Sequence, residues 1–300
     1  MASSSSTLLP PVRCISLPSR VHPTSLEIEA ALNHLKSWQI SSASAETLQH
    51  GLVGLAEMYN CLQDFIQSSQ SQRALLQYQN GNLVDEALNE SVVLLDSCDA
   101  ARDALVTMQR QMQSLQSALR RRRRDSSIEA EVAAYLNIRK KVRKEISIRL
   151  GTIKKLESKF SSCLTTTLDA SDHDASNVAR VLREASSITI SVLRSVLVFL
   201  SMPGGKMGTS PLSLISKLIR IKSLSYEKGQ DMVNEVGSVD LALCSLLGHL
   251  KTSDPKVELQ MVQRMLENLD VRIEDLETGL DCIFKCLIQN RVTLLNIITN

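Results

Sequence analysis

The chain has 300 residues and a formal net charge of +2, and its 43% hydrophobic and 22% charged residues are typical of a soluble globular protein. Aromatic residues make up only 3%, and there are only eleven Gly and seven Pro. This composition argues against a packed α/β enzyme and favours an all-α fold of helices joined by few tight turns.

The first 23 residues differ from the rest of the chain. Residues 1–23 contain no Asp or Glu, six Ser, four Pro and two Arg, and they include no apolar stretch typical of a secretory signal. Two interpretations stay open: a disordered tail, which we expect, and a plastid transit peptide. Within this tail, Arg13, Ser16 and Pro18 form an R-x-x-S-x-P pattern that would dock on a 14-3-3 protein once Ser16 is phosphorylated.

From residue 24 to residue 300 the pattern is helical, and we expect one helical bundle domain. Thr24 and Glu27 form a capping box, which begins a short helix ending near Trp38. A second helix is predicted from about residue 44 to residue 68, because its apolar residues recur on one face. The segment 80–82, with the sequence NGN, separates this part from the first long helix.

Three long helices are predicted at about 83–124, 126–168 and 255–298, because apolar residues recur along each at alternating steps of three and four. This seven-residue repeat indicates an elongated bundle with long antiparallel coiled-coil-like helices. The first two should form a hairpin in which Leu119 lies level with Ile128, and Leu105 with Val142. The last seam has one polar member, Asn290, which we interpret as a fraying terminal position rather than a buried amide that fixes the register.

Five consecutive arginines, 120–124, mark the tip of the hairpin. Ser126 and Glu129 form a capping box, so the second long helix should begin at Ser126. The arginines should then occupy the last turn of the first long helix, where positive charge meets the negative end of the helix dipole. Residues 120–159 hold fourteen Lys or Arg against five Asp or Glu, so the hairpin is strongly basic.

An excess of positive charge of this kind can hold an anionic partner such as a membrane surface. The residues of this predicted patch are Arg120, Arg121, Arg122, Arg123, Arg124, Arg139, Lys140, Lys141, Arg143 and Lys144. The alternative, which we favour, is that these charges are solvated or paired internally with the acidic segments 83–103 and 254–281. Nucleic acid lacks support as a partner, because Tyr135 is the only aromatic residue among these charges.

No constellation for catalysis or cofactor binding is visible. The five His are dispersed, and the segment 204–210, GGKMGTS, lacks the spacing of a phosphate-binding loop. Cys282 and Cys286 would share a helix face, but no His or acidic partner is arranged with them for a metal. The apolar run from Ile188 to Leu200 contains Arg194 and is too short to span a bilayer, so it should be a buried helix. We expect a non-enzymatic protein with no cofactor and no metal.

Five stretches carry a resemblance to a known family. They are RCISLPSRVHP (13–23), LLDSCDAARD (94–103), AYLNIRKKVRKEI (134–146), VLREASSITISVLRSVLVFLSMP (181–203) and GLDCIFKCLIQNRVTLLNI (279–297). They resemble the plant BYPASS-related proteins, a family of helical proteins, and the resemblance extends over nearly the whole chain. Cys14 stands where the family's opening motif has a serine, and Cys286 where the family usually has a basic residue.

The resemblance implies a protein of root and shoot development with no known enzymatic activity, cofactor or catalytic residue, in a family for which membrane or plastid association has been proposed. We therefore expect a non-enzymatic interaction or regulatory protein that acts through protein–protein contacts of its helical bundle. The alternative is a peripheral membrane-binding protein that uses the basic hairpin 120–159. The expected location is intracellular, in the cytoplasm or at a membrane, with the plastid as the alternative, and the oligomeric state stays open.

Overall fold

The computed structural model describes residues 23–38, 44–77, 83–121, 125–163, 173–202, 233–249 and 256–299, and all regular structure in these ranges is helical. The helices found there are α1 Pro23–Trp38, α2 Ala45–Gln67, α3 Ser69–Gln77, α4 Leu83–Arg120, α5 Asp125–Cys163, α6 His173–Ser201, α7 Glu235–His249 and α8 Lys256–Thr299. They pack around one contiguous apolar core, which confirms the predicted all-α helical bundle.

Four helices form the centre of the bundle. α8 packs along both α2 and α4, and α6 also packs against α2 and α4. Gln63 Nε2 donates to Thr293 Oγ1 at 2.6 Å and Leu52 lies against Gly279, so α2 and α8 run parallel. The other four helices cover this centre: α5 lies on α4 and α6, α1 on α2 and α6, α3 mainly on α6, and α7 on α8 and α5.

The first helix is held by close contact with a glycine. The Trp38 indole packs on Gly51, where an added Cβ atom would lie only 2.4 Å from the indole ring. The indole Nε1 also donates to the Thr47 carbonyl oxygen at 3.0 Å. The absence of a side chain at Gly51 therefore allows α1 to approach α2 closely.

The hairpin of α4 and α5 has the predicted antiparallel register. Arg139 Nη1 donates to Met108 Sδ at 3.4 Å, and Ser114 Oγ donates to Glu131 Oε2 at 3.0 Å. These pairs place the C-terminal part of α4 beside the N-terminal part of α5. They agree with the predicted levels of Leu105 and Leu119 relative to α5.

The tip of the hairpin differs from the prediction. α4 ends at Arg120 rather than near residue 124, and α5 begins at Asp125, one residue before Ser126. The backbone N–H of Arg121 still donates to the Ser117 carbonyl oxygen at 3.3 Å, but residue 121 forms a turn. Because like charges on successive helical turns repel one another, a run of five arginines opposes further extension of α4.

Most residues of the predicted seams are buried, as expected. Asn290 does not lie at a fraying end of the last helix as predicted, because α8 continues for nine more residues to Thr299 and buries Leu294 and Ile297. The Asn290 side chain lines a small cavity of about 20 Å³ between α2, α4, α6 and α8. The fraying interpretation was therefore wrong, and the amide lies inside the bundle.

We predict that Leu115→Asp will destabilise the hairpin by about 4 kcal/mol, because Leu115 is fully buried and the new carboxylate would lack a partner. Gln113→Asp is the matched control, since Gln113 lies exposed on the same helix. Urea unfolding followed by circular dichroism measures both free energies of unfolding. Equal midpoints for the two variants would contradict the burial of this seam.

Candidate functional site

The outer side of α5 carries a concentration of lysines, which we call the lysine face. It consists of Lys140, Lys141, Lys144, Lys154 and Lys155, all of them exposed. The opposite side of α5 packs against α4 and α6, so spacings of three, four and seven residues bring these lysines onto the side that faces solvent. Within the described ranges none of the five makes an ion pair.

One apolar side chain lies in the middle of the lysine face. Ile148 is 63% exposed, one turn after Lys144 and two turns before Lys155. Glu145 is the one acidic residue among the exposed side chains between Lys140 and Lys155. The face therefore combines a strong excess of positive charge with a solvated hydrophobic side chain at its centre.

The predicted anionic-partner patch only partly coincides with this surface. Lys140, Lys141 and Lys144 belong to it, and Arg120 and Arg121 are exposed at the hairpin tip. Arg120 also forms an ion pair with Glu267 of α8 at 3.0 Å, as the internal-pairing alternative anticipated. The other three arginines of the run, Arg122, Arg123 and Arg124, lie outside the described residues.

Two arginines of the predicted patch face inward instead. Arg139 is completely buried, and Arg143 is half-buried with its guanidinium bonded to Asp240. Neither guanidinium is free to meet an external anion while α7 stays in place. Including Arg139 in the exposed patch was therefore wrong, because its position in the apolar seam of α5 directs it into the core.

Arg139 bonds to three other helices at once. Its Nε donates to both carboxylate oxygens of Asp240 on α7, each at 3.1 Å. Its Nη1 donates to the Leu200 carbonyl oxygen at 2.8 Å and its Nη2 to the Met202 carbonyl oxygen at 3.2 Å, at the end of α6. The last turn of α6 has no basic residue of its own, so Arg139 supplies the donors that its unpaired carbonyls require.

The surroundings of Asp240 show how strongly this cluster is desolvated. The Tyr135 hydroxyl lies beside it, and burial followed by the Asp240 charge raises the pKa of this phenol well above its usual value. Burial and the Asp240 charge also raise the pKa of the Cys244 thiol. Two guanidinium groups thus share one buried carboxylate, and each of these charges depends on the others for compensation.

Asp240 could not be recognised from the sequence as the partner of Arg139. The available signals were an arginine within the α5 seam and a single acid within the apolar stretch VGSVDLALCSLL of α7. About one hundred residues separate the two partners, and no periodic pattern relates one helix to the other. Only the packing of α7 against α5 brings them together.

We predict that Asp240→Asn will destabilise the protein by about 3–5 kcal/mol, because it leaves two arginines without their countercharge in the core. Glu267→Gln removes a carboxylate from the exposed pair with Arg120 and should cost only about 0–1 kcal/mol. Urea unfolding at neutral pH measures both values. If Asp240→Asn unfolds at the same midpoint as Glu267→Gln, the cluster does not hold the helices together.

A second buried charge lies at the contact of α4 and α6. Glu90 is only 6% exposed, and burial, together with the charge of Glu86, raises its pKa to about 7. A hydrogen bond with Ser186 and the charges of Lys159 and Arg183 oppose this shift. The native state therefore holds the Glu90 proton more tightly than the unfolded chain does. As a result, the free energy of unfolding of the protein falls as pH rises from about 4.5 through 7.

We predict that Glu90→Gln will stabilise the protein relative to wild type at pH 8, by on the order of 3 kcal/mol at most, and have little effect at pH 5. The reason is that glutamine resembles the protonated acid, which wild type holds at pH 5 and must lose at pH 8. Glu274→Gln, on the exposed side of α8, controls for removal of a carboxylate. Thermal unfolding at the two pH values tests this, and a pH-independent difference would contradict it.

The described residues contain no cluster of three or more His, Cys, Asp or Glu that could hold a metal ion. Burial raises the pKa of the Cys98 thiol to about 12, and burial and the adjacent Cys282 raise that of Cys286 to about 11. Both thiols are therefore protonated at neutral pH and are poor nucleophiles.

The apolar run of α6 is buried as predicted, with Ile188 and Leu200 both inside the core. Residues Asp174–Ser201 form one helix that is long and apolar enough to cross a membrane, with an 18-residue window of mean hydropathy 1.4, and 56% of that window is buried inside the bundle. The residues of the predicted phosphorylation motif, Arg13, Ser16 and Pro18, lie outside the described residues, so docking on a 14-3-3 protein stays a prediction.

Comparison with known proteins identifies the family. The model of the family described as Protein BPS1 matches residues 51–297, which include most of α2 and almost all of α8. No curated protein and no solved structure matches the chain significantly. The matched region contains the lysine face and the Arg139–Asp240 cluster alike. Because the match covers well over half of its length, the chain belongs to the BPS1 protein family.

Proposed function

We propose that this protein is a non-enzymatic regulator of plant development that acts by binding an anionic partner at the lysine face of α5. Membership of the BPS1 family suggests a role in plant development, and this family is not known as a family of enzymes. The binding activity itself is supported by the geometry of α5. The five lysines of the lysine face stand without ion pairs in the described part of the chain, whereas the arginines of α5 are engaged.

Unpaired charges of one sign on one face favour association with a partner of the opposite sign. Their summed potential attracts anions over a distance of about 10 Å at moderate ionic strength and raises the rate of encounter. In the described ranges the ion pairs of the acidic segments are made with arginines and not with the lysines of this face. Asp96 of α4 pairs with Arg149 at 3.7 Å, and Asp99 of α4 and Asp281 of α8 both pair with Arg102.

Two classes of partner present dense negative charge. One is an acidic segment of another protein, which agrees with the expectation of an interaction protein. The second is an anionic bilayer, which the exposed Ile148 favours because an apolar side chain gains from contact with lipid. Both classes require the same lysines, so the first test concerns the face and not the partner.

We predict that the triple variant Lys140→Gln, Lys141→Gln, Lys144→Gln will fail to restore development in a plant line that lacks this protein. The reason is the loss of three of the five charges of the face, without any change in the buried seam. The control variant Arg110→Gln, Arg264→Gln, Lys285→Gln removes the same amount of charge from exposed positions on α4 and α8 and should restore development.

A binding assay on purified full-length protein accompanies this experiment. Soluble polyglutamate serves as a generic anionic probe, and its binding should weaken in the lysine variant but not in the control variant. Circular dichroism melting checks that all three proteins fold equally well. If the lysine variant restores development and binds polyglutamate as wild type does, the lysine face is not the functional surface.

A further inference from the structure

We infer that the lysine face of α5 binds the surface of an anionic bilayer, with the Ile148 side chain inserted among the lipid headgroups. This inference rests on the proposed function, because it names the partner of the same surface. The cytoplasmic leaflet of a cell membrane has the required chemistry, since its anionic headgroups attract basic segments.

The lysine face presents ammonium groups and no free guanidinium group of α5. Directional recognition of carboxylates on a folded partner favours guanidinium groups, whose planar donors bind two oxygens at once. The arginines of α5 are not available for this, because Arg139 and Arg143 bond to Asp240 and Arg149 pairs with Asp96. The face is left with ammonium groups on flexible stems, which suit headgroups that move laterally and impose no fixed geometry.

Exposed apolar surface accompanies the lysines and favours contact with lipid. Ile148, 63% exposed, is among the most exposed large apolar side chains of the described residues and lies among the lysines. On the neighbouring helix, Val198 is 39% exposed and lies one turn after Arg194, which pairs with Glu157 of α5 at 3.4 Å. An isoleucine in water is unfavourable by itself, whereas contact with the boundary between headgroups and acyl chains removes its surface from water.

The shape of the surface also suits a membrane. Lys140 and Lys155 are fifteen residues apart, so the face extends along roughly 22 Å of helix. In the described part of the chain, the main contacts of α5 are with α4, α6 and α7. A side of α5 free of such contacts, on the outside of a bundle, can lie flat on a membrane plane while the core stays packed.

The inference concerns a surface contact and not a membrane span by α6. If α6 left the bundle, its end would lose the Arg139 donors at Leu200 and Met202. It would also lose the buried hydrogen bond of 3.0 Å between Thr189 and Tyr59. Docking of α5 disturbs none of these contacts, because the lysines and Ile148 take no part in the core.

The experiment is flotation of the full-length protein with vesicles of phosphatidylcholine alone, or of phosphatidylcholine with about one third phosphatidylserine, at low and at high salt. Wild type should float with the anionic vesicles at low salt and dissociate at high salt, because screening shortens the reach of the charges. The Lys140, Lys141, Lys144 triple glutamine variant should bind about a hundredfold more weakly, given the usual contribution of a lysine near such a surface. The Arg110, Arg264, Lys285 triple glutamine variant is its charge-matched control and should float as wild type does.

A second pair of variants tests the insertion of the apolar side chain. Ile148→Ser should weaken binding to the anionic vesicles about tenfold, whereas Val271→Ser, at a 59% exposed position on α8, should leave it unchanged. Both substitutions affect exposed residues, so neither should alter the thermal unfolding of the protein.

The outcomes separate this inference from the proposed function. If polyglutamate binding depends on the lysines but wild type does not float with anionic vesicles, the partner is an acidic protein and only the bilayer inference is overturned. If flotation occurs and Ile148→Ser matches wild type, insertion of the apolar side chain is wrong. If the lysine variant behaves as wild type with both probes, the proposed function and this inference are rejected together.

Discussion

The buried ion pair between Arg139 and Asp240 joins parts of the bundle that are far apart along the chain. A guanidinium group has five N–H donors, and Arg139 uses four of them, on a carboxylate, on two carbonyl oxygens at the end of α6 and on the sulfur of Met108. Because an unpaired charge in the core is very unfavourable, α5, α6 and α7 cannot shift independently of one another. An apolar pair of side chains could fill the same volume, but it would impose no directed bonds. The contribution of the ion pair is therefore to restrict α5, α6 and α7 to one arrangement.

The same constraint determines what remains on the surface of α5. The basic cluster of the sequence divides between two environments according to helical position, with Arg139 in the seam and Arg143 beside it, while Lys140, Lys141 and Lys144 point to solvent. Burial of the arginines agrees with the weaker hydration of a guanidinium group and its capacity for several directed hydrogen bonds. The ammonium groups keep their water, and the exposed face consequently has an excess of positive charge that attracts anions without a shaped pocket.

Periodic features could be predicted well because they depend on neighbours in the same helix. The apolar seams of α4 and α8 and the antiparallel register of α4 and α5 follow from repeats of three and four residues and from a short connection. The end of α4 could not be predicted from this pattern, because repulsion among five arginines competes with the dipole interaction that favours them there. Asn290 was misplaced for a related reason, since nearness to the end of the chain does not by itself indicate fraying when Leu294 and Ile297 are buried beyond it.

The sequence by itself determined that this protein is an all-α bundle in which long helices pair. It also determined that the second long helix is rich in positive charge. Those properties are local, because composition and helical periodicity act within one helix or between two helices joined by a short turn. Helical position already directs Arg139 into the seam of α5, but only the tertiary structure decided which group compensates its charge there, and that group is Asp240 of α7. Electrostatic pairing depends on distance in space, and the position of α7 beside α5 results from the packing of the whole bundle, which no repeat in the chain encodes.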